Sequence, residues 1–354
     1  MHLLRVRSIL CVLILLVSMA SAMEGCKRER LYGYRPPNYF PVTRDDLHSV
    51  KAFNSGKIWA IGSFGGIYYT SNGGDSWEAQ KSGVNDLTLL CKVEFVDDQH
   101  GWGVGSFGTI IHTEDGGKSW TTQNSKTGNL LLNVDFVDRK HGWIVGEKST
   151  FLRTKDGGAN WELQYDEMGT VYNSVYFLDK QTGWIVGDYG TILHTTDGGE
   201  SWSKQECKDI IPVLDEEEWW EPIPSLFNVT FVDSKKGLIC GINGIILLTE
   251  DGGLHWRKVP TNTRLAIYAV TVRGKRAWAI GEKGNYLISH DGGLNWKVVT
   301  GVIKTRKWLR DISFTSDTHG WTVGGMGTVL KTVDGGDHWE MISGQSYDIR
   351  SVWD

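Results

Sequence analysis

The sequence predicts an all-β protein, a seven-bladed β-propeller of four-stranded antiparallel blades, from three observations. A Gly-Gly-x-x-Trp segment occurs seven times, ending at Trp77, Trp120, Trp161, Trp202, Trp256, Trp296 and Trp339. Successive tryptophans lie 43, 41, 41, 54, 40 and 43 residues apart, a length that accommodates one blade of four short strands. Each repeat also contains short alternating runs separated by glycine-rich turns, as antiparallel strands do.

Each repeat divides into four predicted strands, named a to d in chain order. Strand a is an alternating run such as Val93-Glu94-Phe95, and strand b has the pattern Gly-Trp-x-Val-Gly, as in residues 183–187. A tight hairpin closing on glycine leads to strand c, and strand d begins at the repeat tryptophan. The six strand-b and seven strand-d tryptophans are therefore expected in the core between blades.

The turn between strands c and d reads Asp-Gly-Gly in six repeats and Asn-Gly-Gly in the first. Its leading residues are Asn72, Asp115, Asp156, Asp197, Asp251, Asp291 and Asp334. The glycines suit positive φ, and the preceding side-chain oxygen can accept hydrogen bonds from turn amides. The turn resembles the Asp-box of propellers, which implies a structural role. Because asparagine keeps the acceptor, we expect the same turn in the first repeat.

The repeats leave room for one domain in the 354-residue chain, predicted to span residues 47–354 with an insertion at 207–225. Residues 348–352 echo residues 46–50, the opening of the first repeat. A closed propeller leaves only short, protected strand edges. The C-terminal echo is therefore expected to help close the ring.

Residues 1–22 have the pattern of a signal peptide, with Arg5 and Arg7 before an apolar run and small residues at 20–22. Residues 23–46 are predicted to form an N-terminal arm or linker. The mature chain would begin near Met23, or at Cys26 if this cysteine is lipidated. The sequence thus predicts export from the cytoplasm to the periplasm or cell envelope, with peripheral membrane association as a further expectation.

The amino-acid composition restricts the classes of partner that the protein can bind. The formal net charge is −5 and the sequence pI is about 6.1, which argues against a general nucleic-acid-binding protein. The N-terminal apolar run is too short to span a membrane comfortably. We expect a monomer.

The insertion at 207–225 is the one long departure from the repeat. It contains adjacent tryptophans and a run of acids: Trp219, Trp220, Glu216, Glu217 and Glu218. It joins strand d to the next strand a, so it is expected on the face opposite the Asp-box turns. The tryptophans would either pack on the ring or contact a partner, and the sequence favours neither.

Basic residues concentrate between residues 257 and 310. Four of them fall in connections on the same face as the insertion: Arg264, Lys304, Arg306 and Lys307. A negative and a positive lobe would then flank the mouth of the ring. Because complementary charges orient an approaching chain, this surface suits a peptide or protein segment. We therefore predict that the insertion and these basic residues bind a protein partner.

The sequence contains no convincing catalytic or metal-binding cluster, and no cofactor is expected. Its histidines recur at equivalent repeat positions, as strand and turn residues would. The predicted inner strands are apolar or lightly polar, with Cys91 and Cys240 expected in the core. A carbohydrate-active propeller, either a sialidase- or xyloglucanase-like glycoside hydrolase or a glycan-binding module, is the alternative function.

The complete repeat resembles that of the photosystem II stability/assembly factor family over about Leu47 to Ser343. The matching pattern is Val-x-Phe, then Gly-Trp-x-Val-Gly, then Asp-Gly-Gly-x-x-Trp; the fifth repeat has Leu238 in place of the strand-b tryptophan. The resemblance implies a non-enzymatic scaffold or assembly factor of the thylakoid lumen or bacterial envelope. Its partner would be a photosystem-type membrane subunit in a photosynthetic host, and another envelope protein in a non-photosynthetic bacterial relative.

Overall fold

The computed structural model describes residues 42–53, 56–165, 169–211 and 223–343. In this part of the chain, 28 strands form seven antiparallel sheets of four. Each sheet takes all four strands from one repeat, in the order a-b-c-d. The predicted all-β, seven-bladed propeller is confirmed. None of the described residues forms a helix long and apolar enough to cross a membrane.

The strands are numbered in chain order. Blade 1 comprises β1 (Leu47–Ala52), β2 (Ile58–Gly62), β3 (Ile67–Thr70) and β4 (Glu78–Gln80). Blade 2 comprises β5 (Leu90–Phe95), β6 (Gly101–Gly105), β7 (Ile110–Thr113) and β8 (Thr121–Gln123). Blade 3 comprises β9 (Leu131–Phe136), β10 (Gly142–Gly146), β11 (Phe151–Thr154) and β12 (Glu162–Gln164). Blade 4 comprises β13 (Tyr172–Phe177), β14 (Gly183–Gly187), β15 (Ile192–Thr195) and β16 (Ser203–Gln205).

Blade 5 comprises β17 (Leu226–Phe231), β18 (Gly237–Gly241), β19 (Ile246–Thr249) and β20 (Arg257–Val259). Blade 6 comprises β21 (Ile267–Arg273), β22 (Arg276–Gly281), β23 (Tyr286–Ser289) and β24 (Lys297–Val298). Blade 7 comprises β25 (Leu309–Phe314), β26 (Gly320–Gly324), β27 (Thr328–Thr332) and β28 (Glu340–Ser343).

The core between blades is built largely from the predicted tryptophans. Strand-b tryptophans stack on the phenylalanine that ends strand a of the next blade, with ring centroids 3.6 Å apart for Trp102 and Phe136 and 3.5 Å apart for Trp143 and Phe177. All six strand-b tryptophans are buried. The strand-d tryptophans stand just before strand d, and two of them, Trp77 and Trp202, are half-buried. The predicted place of the tryptophans in the core between blades is thus confirmed, and Trp77 and Trp202 lie at the edge of that core.

The Asp-box turns confirm the predicted geometry. In blade 4, Asp197 accepts hydrogen bonds from the Ser201 amide at 2.9 Å and the Thr195 hydroxyl at 2.7 Å. Gly198 has φ +75°, a region where glycine avoids the steric cost of a side chain. Asn72 accepts from the Thr70 hydroxyl at 2.8 Å and the Ser76 amide at 3.0 Å. Asparagine therefore supports the same turn in blade 1.

The connections divide between two faces of the ring. On the hairpin face, the b–c hairpins lie beside the start of strand a, as shown by the Ser63 amide, which donates to the Asp46 carbonyl at 3.0 Å. On the Asp-box face, the c–d turns lie beside the a–b turns, as shown by the Gly73 amide, which donates to the Gly56 carbonyl at 2.8 Å. The d–a connections run along the hairpin face.

Blades 7 and 1 meet at the seam of the ring. Both have four strands of their own, so this closure involves no strand exchange among the described residues. The segment before β1 takes the place of a d–a connection, because Gly327 packs on the Thr43 carbonyl as Gly284 packs on that of Thr305. The C-terminal echo at 348–352 lies outside the described residues, so its predicted role in closure stays a prediction.

Candidate binding site at the mouth of the channel

The innermost strands, one strand a per blade, line a channel that contains charged side chains. Lys92 of blade 2 forms an ion pair with Asp311 of blade 7 at 2.8 Å, reaching past blade 1. Lys51 pairs with Glu94. The expectation of apolar or lightly polar inner strands was therefore wrong. The valines and phenylalanines of strand a pack behind this lining, between the blades.

Asp135 is the most perturbed acid in the channel. One of its oxygens accepts the Phe177 amide at 2.6 Å, which links blade 3 to blade 4. Burial and the nearby Glu94 carboxylate raise the pKa of Asp135 to about 7, against the smaller opposing effects of the Phe177 amide, Lys51 and Lys92. This carboxyl therefore titrates near neutral pH.

At the hairpin-face end of the channel, five half-buried side chains from blades 5, 6, 7 and 1 form a mouth cluster. Its members are Phe227, Tyr268, Trp308, Arg310 and His48. The Arg310 guanidinium carbon lies 5.1 Å from the centre of the Tyr268 ring, and Phe227 lies 5.7 Å from the same ring. On the other side, His48 stacks on Trp308 at 5.4 Å. The cluster thus places a guanidinium among aromatic rings.

Among the described residues, the positive charge of the mouth cluster has no ion-pair partner. None of the described acids forms an ion pair with Arg310, whose guanidinium instead makes a cation–π contact with the Tyr268 ring. Desolvation, with the positive field of Arg310, lowers the pKa of His48 to about 3. The imidazole is therefore neutral at physiological pH. Arg310 supplies the cationic character of the cluster.

A bulge in strand a explains why the sequence did not reveal this cluster. In every blade the pairing of strands a and b shifts by one residue near the start of strand a, as between Leu47 and Ser49. The second residue of the strand, such as His48 or Arg310, is only half-buried. Cys91 occupies the same position, so its predicted place in the core was wrong; Cys240 is buried as expected. In the sequence, the bulge is indicated by two apolar residues three positions apart at the start of strand a, such as Leu47 and Val50.

The predicted basic site residues lie beside the mouth cluster in sequence and on the same face. Arg264, Lys304 and Arg306 are exposed, and Lys307 is half-exposed with Asp46 in its electrostatic surroundings. The predicted acidic and aromatic residues of the insertion lie outside the described residues: Glu216, Glu217, Glu218, Trp219 and Trp220. Cys26 lies outside them as well. The described structure thus brings the basic half of the predicted site to the hairpin face.

The two described ends of the insertion also lie on the hairpin face. The Gly190 amide in the blade 4 hairpin donates to the Pro224 carbonyl at 2.8 Å. At the other end, Asp209 accepts the Lys258 amide at 2.8 Å. Beside it lies a groove of about 980 Å³, whose lining includes Arg264. Cys207 is a buried free thiol that donates to the Trp256 carbonyl at 3.3 Å.

The Asp-box aspartates have structural partners rather than a ligand-binding arrangement. Hydrogen bonds from the Ser201 and Thr195 hydroxyls and from turn amides hold the pKa of Asp197 far below its usual range. His112 and His194 stack on the strand-b tryptophans of their own blades, Trp102 and Trp184. No group of three or more His, Cys, Asp or Glu side chains in the described part of the chain is arranged to hold a metal ion.

Comparison with solved structures shows the same fold. A structure of YCF48 bound to D1 peptide has 20% sequence identity and a TM-score of 0.67, covering 87% of this chain and 99% of that one. YCF48 from Cyanidioschyzon merolae has 19% identity and a TM-score of 0.66, covering 82% and 96%. A streptogramin B lyase has 9% identity and a TM-score of 0.67, covering 85% and 95%. At these identities the likeness concerns the fold.

No curated protein sequence matches the chain significantly. A family model does match, over residues 119–214, 220–304 and 300–350, and it describes the photosynthesis system II assembly factor YCF48. The three segments cover more than half of the 354 residues. The resemblance recognised in the repeat pattern is thereby confirmed. This chain belongs to the photosynthesis system II assembly factor YCF48 family.

Proposed function

We propose that this chain is an exported, non-catalytic assembly factor that binds a segment of a protein partner at the mouth of its channel. The observation that carries the proposal is Arg310. This half-buried cation stands among aromatic rings and forms no ion pair with any described acid. A partner that supplies a carboxylate would complete its interactions.

The chemistry of the mouth cluster favours a peptide. A guanidinium beside an aromatic ring can bind a carboxylate through parallel N–H groups. Trp308 and Tyr268 add apolar area at low conformational cost, and Trp, Tyr and Arg are the residue types that dominate binding energy at protein interfaces. The cluster therefore suits an acidic or C-terminal segment that also carries apolar side chains.

The surroundings of the cluster support the same partner class. The basic residues Arg264, Lys304, Arg306 and Lys307 would attract an acidic segment over a longer range. One of the YCF48 structures with the same fold is a complex with a D1 peptide. In a photosynthetic host we therefore propose a photosystem-type membrane subunit as the partner, with the insertion as a second contact.

The channel carboxylates support a non-catalytic role. Asp311 is engaged by Lys92 at 2.8 Å and by the Ser49 hydroxyl at 2.7 Å, and Glu94 is paired with Lys51. Asp135 accepts a backbone amide. Each acid thus has a partner within the protein. The propeller fold alone does not decide the matter, because fold does not establish function.

A binding assay tests the proposal. Calorimetric titration with a synthetic D1 peptide should show that Arg310→Gln weakens binding at least about tenfold, since it removes a desolvated charge at the centre of the site. Arg310→Lys should recover part of the loss, because it restores charge without the planar guanidinium. Arg273→Gln, on the Asp-box face, is the matched control. Equal effects of Arg310→Gln and Arg273→Gln would place the site elsewhere.

The proposed export has a separate test. Intact-mass measurement on protein from its native host should give a chain that begins near Met23, or at a lipidated Cys26. A signal peptide is removed on export, so a cytosolic chain that retains Met1 would contradict this part of the proposal.

A further inference from the structure

The seven b–c hairpins of the hairpin face share an unusual backbone conformation. Each has a non-glycine residue with φ between +54° and +59° at its tip: Phe64, Phe107, Lys148, Tyr189, Asn243, Lys283 and Met326. Phenylalanine, tyrosine and methionine are disfavoured in this left-handed region, which glycine and asparagine adopt more readily. All seven tip side chains are exposed. Disfavoured residues kept at exposed positions indicate a function for their side chains.

Three of the apolar tips are adjacent to one another around the ring. Three consecutive blades, 7, 1 and 2, carry the apolar tips Met326, Phe64 and Phe107, which are 40%, 44% and 67% exposed. The tips on either side of this group, in blades 6 and 3, are the exposed lysines Lys283 and Lys148. These five residues are called the docking arc. It is an apolar sector with a cation at each end.

Two further observations favour the same sector. Leu87, in the connection from blade 1 to blade 2, is 72% exposed on the same face. The described chain also enters the propeller here, because Val42 donates to the Ser343 hydroxyl at 2.9 Å beside the seam. The first described residue thus lies at the seam between blades 7 and 1, in the middle of the docking arc.

We propose that the docking arc rests on the surface of an anionic lipid bilayer. The apolar tips would enter the headgroup region, and the two lysines would lie among anionic headgroups. A bilayer accepts side chains one at a time, whereas a protein interface needs a contiguous packed core. Tips that stand on separate blades suit the bilayer better. The described ends of the insertion, between blades 4 and 5, lie on the opposite side of the ring from the docking arc.

A site-specific fluorescent probe tests which face meets lipid. Dansylalanine would replace Phe107 or, as the control, Leu254, which is 76% exposed on the Asp-box face. With vesicles of phosphatidylglycerol and phosphatidylcholine, the emission at position 107 should shift to the blue and that at position 254 should not. This readout is independent of any anchoring by residues 1–41. The absence of a shift at position 107, or equal shifts at both positions, would overturn the proposal.

Vesicle sedimentation of the full chain tests the apolar tips. The triple variant Phe64→Asn, Phe107→Asn and Met326→Asn should bind at least about tenfold more weakly. Asparagine suits this turn, as Asn243 shows in blade 5, so the fold should be kept. The matched control changes the three exposed apolar residues of the Asp-box face to asparagine: Val232, Leu254 and Val333. Equal losses in the two triple variants would contradict the docking arc.

The lysines are tested in the same assay. Lys148→Gln with Lys283→Gln should weaken binding about 25-fold, since a basic residue near an anionic surface contributes about fivefold. Lys118→Gln with Lys235→Gln, on the Asp-box face, should have little effect. Both pairs should bind pure phosphatidylcholine equally weakly. Peptide binding without vesicles should stay unchanged in these variants, which separates failure of this proposal from failure of the peptide site.

Discussion

The seam between blades 7 and 1 differs from the boundary between blades 4 and 5, although both join equivalent surfaces. At the seam, Asp311 accepts the Ser49 hydroxyl at 2.7 Å and the Val50 amide at 3.0 Å. The Trp321 indole also donates to the Gly73 carbonyl of the blade 1 Asp-box at 3.3 Å. The seam is therefore closed by a carboxylate in the channel and by a tryptophan near the Asp-box face.

At the boundary between blades 4 and 5, the channel-side contacts of the two strands a are neutral. Asn173 donates to the Leu226 carbonyl at 2.9 Å, and Asn228 to the Ser174 hydroxyl at 3.4 Å. The buried Trp184 indole N–H has no partner among the described residues. At this boundary the chain runs on from one blade to the next. It also carries the insertion.

The difference indicates how closure is distributed around the ring. Blades 4 and 5 are connected by the chain itself, so side-chain contacts need only orient them. Among the described residues, blades 7 and 1 have no such connection, and side-chain contacts hold them together. At the seam, the charge-assisted hydrogen bonds to Asp311 are stronger than neutral ones and supply contacts that the chain does not. The chain-connected boundary between blades 3 and 4 also has such a bond, from the Phe177 amide to Asp135. Extra residues are tolerated between blades 4 and 5, where the chain itself connects the blades.

The largest effect is expected from Asp311→Ala. It removes the two hydrogen bonds that Asp311 accepts from blade 1 and leaves Lys92 without its ion pair, so it should reduce the free energy of unfolding by about 3–5 kcal/mol. Asn173→Ala, the counterpart at the other boundary, should cost about 1 kcal/mol. Urea-induced unfolding measures both. Asp311→Asn keeps a side-chain acceptor and should fall between them, and similar losses for Asp311→Ala and Asn173→Ala would remove the distinction.

A smaller effect is expected from paired tryptophan substitutions. Trp321→Phe loses a hydrogen bond to Gly73, whereas Trp184→Phe removes an N–H group that has no described partner. Both substitutions lose similar volume from buried sites. Trp321→Phe should therefore cost about 1 kcal/mol more than Trp184→Phe. Thermal melts of the two variants should show the difference, and a larger loss for Trp184→Phe would contradict it.

The smallest effect is expected at a third boundary, between blades 3 and 4. There the Phe177 amide donates to Asp135, a carboxyl that titrates. The pKa of Asp135 is raised from 3.8 to about 7, so the folded state holds a proton that the unfolded state has released between these values. The contribution of Asp135 to stability therefore falls as the pH rises from about 4 to about 7. Relative to Asp135→Asn, the wild type should lose roughly 0.7 kcal/mol between pH 6.5 and pH 7.5. Parallel pH profiles of the two proteins would refute this.

The blades could be predicted from the sequence because the repeat specifies them locally. The turn led by Asn72 forms with partners within four residues, such as Ser76. Strand and turn residues such as Trp143 and Gly198 recur at equivalent positions, and their roles follow from repetition. Local rules sufficed wherever the interacting residues belong to one repeat or to consecutive repeats.

The candidate site could be predicted only in part. The hairpin face was correctly assigned to Arg264, because its connection follows from the strand order. The mouth cluster was missed, since Arg310 and Tyr268 meet through a bulge that strict alternation does not reveal. The pair of Lys92 and Asp311 lies 219 residues apart in sequence. This ion pair forms only when the ring is closed, so it cannot be predicted from individual repeats.

The absence of strand exchange at the described seam has an entropic consequence. The Ser49 hydroxyl donates to Asp311, 262 residues away, whereas the same hydroxyl accepts the amide of Val93, only 44 residues away. Loop-closure entropy grows as three halves of RT times the logarithm of loop length, so joining blades 7 and 1 costs about 1.6 kcal/mol more than joining blades 1 and 2. One charge-assisted hydrogen bond is of similar strength. The carboxylate at Asp311 thus offsets the extra disorder that a propeller must lose when its last blade meets its first.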